Sequence, residues 1–84
     1  MERKLPFDAE GLGAFAKQLK AVRKRKGFTQ KQLAFESNLV LSQIARMETG
    51  ERNATLTTIF IIARTLDVPV RELFDFDLPA KKNS

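Results

Sequence analysis

The apolar positions of the chain fall into short helical periods separated by polar turns. Leu12, Phe15, Leu19 and Val22 recur three and four residues apart, which predicts a helix from an N-cap at Asp8 to about Lys26. Gly27 ends it, and the face opposite its apolar stripe is basic. Thr29 offers the hydroxyl of an N-cap to a second, shorter helix that buries Leu33. Asn38 then turns the chain, because Asn enters the left-handed region at little cost. A third helix is predicted over about Leu41 to Met47, with Ile44 and Met47 inward and Ser42, Gln43 and Arg46 mostly outward. Gly50 is placed to cap its C-terminus, and Glu51 to Ala54 form a loop.

Thr55 caps a predicted fourth helix, whose stripe is Leu56, Ile59, Phe60, Ala63 and Leu66, flanked by Ile62. Ile61 falls off that stripe, on the side of Thr57, Thr58 and Thr65. Asp67-Val68-Pro69 is a turn, with Pro69 near the first position of a short fifth helix that ends about Phe74. Phe74-Asp75-Phe76-Asp77-Leu78 then alternates strictly, as a fraying helix end or a short extended arm with one apolar edge. The organisation expected is a flexible N-terminal segment over 1–8, one all-α domain over 9–78 and a disordered tail over 79–84.

Eighty-four residues make one small domain, able to bury roughly 60–65% of its unfolded surface. The chain has no Cys, His, Tyr or Trp. Disulfides, thiolate metal sites and Ser-His or Cys-His catalytic pairs are thereby removed. Asp and Glu remain, but in no calcium-loop pattern, so neither catalysis, metal nor cofactor is expected. The longest apolar run, Ile59 to Ala63, is far short of the roughly 18 residues of a membrane span. The first residues are charged and then broken by Pro6, with no signal-peptide apolar core. A cytoplasmic protein without membrane contact is expected.

The net charge is +5, and its placement is more telling. Between Gly11 and Phe35 stand seven cations and no anion, whereas from Glu36 onward seven acids face six bases. A one-sided basic field favours nucleic acid, whose duplex form carries a charge about every 1.7 Å. The alternative is a solvated lysine face. Ala34, Asn38 and Ile44 decide between them, since Asn38 and Ile44 lie four and ten residues beyond Ala34. A helix-turn-helix needs that spacing: a small residue at the crossing, a turn residue tolerant of positive φ, and a branched anchor. Such units place their second helix in the DNA major groove.

From about Leu12 to Phe74 the chain resembles the Cro/cI-type helix-turn-helix family, also called the XRE family. The resemblance is carried by Leu19, Arg23, Gly27, Thr29-Gln30, Leu33-Ala34, Ile44, Arg46, Met47-Glu48, Gly50, Arg52-Asn53, Leu56, Ala63, Leu66 and Glu72-Leu73-Phe74. It implies a compact five-helix, lambda-repressor-like domain whose third helix enters the major groove of double-stranded DNA. The family's phosphate contacts fall on Gln30, Arg52 and Asn53, and its base-reading positions on Leu41, Ser42, Gln43 and Arg46. Gln pairs bidentately with adenine and Arg with guanine; Leu41 offers only apolar contact, as to a thymine methyl. Val40 departs from the usual Ser, Thr or Asp cap, at a cost of about 1 kcal/mol. Leu41 replaces a frequent Arg or Gln. The resemblance also implies a partly buried ion pair between Arg23 and Glu48. Such domains bind as twofold dimers, and Ile61, Phe76 and Leu78 are the candidate homodimer contacts.

The reading that follows is a sequence-specific transcriptional regulator acting as a homodimer. Controller proteins of restriction-modification systems and small phage repressors match in size. The alternatives are an antitoxin, whose main partner is a protein, or a restriction-modification controller component, or an RNA- or protein-binding adaptor with the same fold.

Overall fold

Three of the four α-helices among the described residues begin where a side chain takes up an orphan backbone N–H. The computed structural model describes residues 6–78, so the expected tail 79–84 and residues 1–5 of the expected N-terminal segment lie outside the described residues. Helix α1 spans Ala9–Arg25, and Asp8 Oδ1 accepts from the Gly11 N–H at 2.9 Å. Helix α2, Gln30–Ser37, opens on a capping box: Thr29 Oγ1 accepts from the Gln32 N–H while Gln32 Oε1 accepts from the Thr29 N–H, at 3.0 and 2.8 Å. Asn38 ends it at φ 60°, the left-handed turn that the sequence predicts. Helix α3, Leu41–Met47, starts at Val40 with no side-chain cap. Helix α4, Leu56–Leu66, starts at Thr55, whose hydroxyl accepts from the Thr58 N–H at 3.2 Å.

The core joins all of these elements. Leu19 and Val22 of α1, Leu33 of α2, Ile44 and Met47 of α3, and Ile62 and Leu66 of α4 are shut off from solvent together with Leu73. Helix α2 packs on both α3 and α4, and the C-terminal segment packs on α1 and α4. One close approach depends on glycine. Gly50, at φ 81°, leaves α3 so near to α1 that an added Cβ would stand 3.2 Å from the Gly13 Cα.

Two expectations need correction. The short fifth helix is a 3-10 helix, Val70–Phe74, with the Glu72 N–H bonded to the Pro69 carbonyl at 2.9 Å. Five residues after a proline hold too few i→i+4 bonds to stabilise an α-turn, so the tighter pattern prevails. The stripe of α4 is also rotated. Thr58, Ile59, Ile62, Ala63 and Leu66 face inward, while Leu56 is 65% exposed and Phe60 43%. An apolar arc this wide has no unique centre in the sequence; contact with α2 and the 3-10 helix chooses one. Phe74 is half exposed rather than closed into the core, with its ring 5.5 Å from that of Phe15 and 6.5 Å from that of Phe76.

Candidate nucleic-acid interface

Helix α3 is held by Ile44 and Met47, and burying these two fixes which residues can face outward. Leu41, Ser42 and Arg46 are exposed, and Gln43 is half-buried at the edge of the same helix. Seven residues give barely two turns, so these four side chains lie within about 10 Å along the axis. The turn after α3 is closed by backbone bonds: the Glu51 N–H donates to the Arg46 carbonyl at 3.0 Å, as does the Thr49 hydroxyl. Beyond it Arg52 and Asn53 are both exposed in the loop that leads to Thr55.

Behind α3 a buried charge network ties three elements together. Arg23 of α1 reaches Glu48 with two parallel bonds, Nε to Oε2 at 2.6 Å and Nη2 to Oε1 at 2.9 Å. Its remaining nitrogen, Nη1, donates to the Phe28 carbonyl at 2.7 Å. The two side chains are 7% and 2% exposed. A planar guanidinium matches a carboxylate in this fork geometry. Gln30 joins the network, its Nε2 donating to Glu48 Oε1 at 3.0 Å. A side-chain amide nitrogen carries two hydrogens, so one is used and one is left. Arg23 therefore faces inward, while Gln30 at the first turn of α2 is anchored from behind.

Two cations that the motif alone does not single out stand at the same place. Lys24 and Lys31 line an open concavity with Arg23, Thr29, Gln30 and Leu41. Their charge is visible in the sequence, but their convergence on the first residue of α3 is a property of the fold. The candidate dimer residues are distributed differently. Leu78 is exposed and Phe76 packs partly against the core. Both border an apolar groove of about 440 Å³ together with Leu12, Phe15, Leu56 and Phe74. Ile61 is half-buried and lies about 140° around α4 from Leu56, outside that groove. Among the described residues no helix is long and apolar enough to cross a membrane.

A family model described as helix-turn-helix matches residues 19–73. Comparison with curated proteins returns no match. Among solved structures, the chain is similar to the restriction-modification controller protein C.AhdI from Aeromonas hydrophila. Identity is 41% over 75% of this chain and 96% of that one, with a TM-score of 0.73. It is also similar to the controller protein C.Esp1396I, solved as a tetramer in complex with its natural 35 base-pair operator. That likeness is 33% identical over 76% of this chain and 84% of the other, with a TM-score of 0.69. The clp gene regulator ClgR from C. glutamicum, at 21% identity and a TM-score of 0.71 over 75% of this chain and 82% of its own, shares the fold.

Proposed function

The chain belongs to the Cro/cI-type helix-turn-helix family, and from that premise we propose that it is a controller protein of a restriction-modification system. It is a DNA-binding transcriptional regulator and not an enzyme. The observation that carries the narrower reading is its 41% identity to C.AhdI across 96% of that controller.

In this reading α3 lies in the major groove, Gln43 and Arg46 supply the hydrogen bonds to bases, Ser42 adds a further one, and Leu41 makes apolar contact. Gln30, Arg52 and Asn53 hold phosphates on either side, and Lys31 adds charge at the first turn of α2. Glu48 occupies one hydrogen of the Gln30 amide and leaves the second for a phosphate oxygen. The working form is a homodimer in the cytoplasm. Its twofold surface is the groove side of the molecule, where Leu56, Phe74 and Leu78 are exposed apolar groups beside the partly buried Phe76. A second copy is the fitting occupant, because one such domain reads only a half-site and the relative C.Esp1396I is multimeric on its operator.

Selection of bound sequences from a random duplex pool at near-physiological salt tests this reading. The expected product is a pair of inverted half-sites about one helical turn apart, ~34 Å. In the source genome that site should lie beside the genes of a restriction-modification system. Recovery of no motif would refute operator binding. A motif located at unrelated genes would refute the controller assignment alone.

A further inference from the structure

The cations of α1 are divided by the fold into two sets. Arg23 and Arg25 are taken up by ion pairs, with Glu48 and Glu72 respectively. Lys17, Lys20 and Lys24 are exposed and take part in no ion pair among the described residues. These three lysines lie three and four residues apart, so at about 100° per residue they form a single stripe. That stripe is on the outer side of α1, away from Phe15, Leu19 and Val22.

The C-terminal end of the stripe adjoins an element assigned above to DNA, and its N-terminal end lies one turn from the packing of Gly50 on Gly13. Gly13 precedes Lys17 by one helical turn, and it is against Gly13 that Gly50 is packed, with an added Cβ only 3.2 Å from the Gly13 Cα. Arg52 and Asn53 follow directly after Gly50 and Glu51. At the other end, Lys24 shares its concavity with Gln30, Lys31 and Leu41. A run from Lys17 to Lys24 is about 10 Å long. One strand of a duplex presents about three phosphates over that length, at ~3.4 Å per charge along the axis.

We propose that Lys17, Lys20 and Lys24 grip the phosphate backbone of duplex DNA alongside the bases read by α3, giving each half-site a sequence-independent flank. The inference rests on the assignment of α3 to the major groove. The unpaired ammonium groups act as point charges that release counterions, so they strengthen binding without choosing bases.

The test uses the full chain and the operator recovered by pool selection. Affinity is measured across a salt series for the wild type and for the combined variant Lys17→Gln, Lys20→Gln, Lys24→Gln. The slope of log K against log salt should become shallower by about 0.9 for each phosphate no longer neutralised, or about 2–3 per bound protomer. The selected motif and the melting temperature should stay as in the wild type, because all three side chains are exposed. Shortening the duplex to the bare half-sites should shrink the difference between the two proteins. An unchanged slope overturns the proposal, and so does a changed motif, which would make these lysines base readers. A loss confined to single-stranded RNA, with operator binding intact, overturns it in favour of an RNA surface. If the wild type itself selects no motif, the operator reading fails first and this one falls with it.

Discussion

Replacing Arg23 by Ala removes three hydrogen bonds from the interior of the domain. Two run to Glu48 at 2.6 and 2.9 Å and the third to the Phe28 carbonyl at 2.7 Å. Glu48, whose side chain is only 2% exposed, would keep the Gln30 amide and little else. Breaking a buried pair from one side leaves an uncompensated charge and costs about 3–5 kcal/mol. A chain of this size has about 4–13 kcal/mol in total, at 0.05–0.15 kcal/mol per residue. The variant should therefore lose a large share of its stability. With neither Trp nor Tyr in the chain, helical circular dichroism across a urea series is the suitable assay. For a slope of about 1.5 kcal/mol/M, the midpoint should fall by about 2–3 M. The combined variant Arg23→Met, Glu48→Leu should recover most of that loss, since a buried pair is often no better than apolar packing of similar volume. A midpoint unmoved by Arg23→Ala, with operator affinity abolished, would refute the structural role and make Arg23 a DNA contact.

Val40→Ser should raise stability by about 1 kcal/mol, because the backbone at Val40 is already extended and only the capping oxygen is missing; thermal unfolding followed by circular dichroism checks the sign. Asn38→Val should cost about 1–2 kcal/mol at φ 60°, while Asn38→Gly should change little; equal losses in both would point to the Asn side chain instead of the backbone. Leu78→Lys and Leu56→Lys should each shift sedimentation toward monomer, and Ile61→Lys, outside the groove, should do so much less. The reverse ranking would move the twofold surface to the other flank of α4. Gln43→Ala and Arg46→Ala should each relax preference at one base pair by about 1–3 kcal/mol, read by repeating the pool selection.

Local rules made most of the framework legible. Thr29, Thr55 and Asp8 cap helices because each places an oxygen near an orphan N–H, an interaction spanning three residues and visible in any window that holds both partners. Asn38 and Gly50 adopt positive φ for equally local steric reasons. The fifth element was legible as to place and not as to type. Pro69 marks its start, but the choice between α and 3-10 depends on a balance of few hydrogen bonds in a five-residue segment packed on α1 and α4.

By itself the sequence determined four helices, their caps and the turn between α2 and α3, and with them the outward positions of α3. Its charge run over Gly11 to Phe35, taken with the spacing of Ala34, Asn38 and Ile44, indicated a polyanionic partner. Only the tertiary structure decided which way α4 faces, and so left Leu56 and Phe60 exposed while Ile62 entered the core. It also joined Gln30 to Glu48 across 18 residues, and divided the similar cations of α1 into ion-paired arginines and solvent-facing lysines. The physical reason is one of range. Caps and turns are settled by neighbours in the chain, whereas burial and ion pairing depend on groups brought together only when the helices pack.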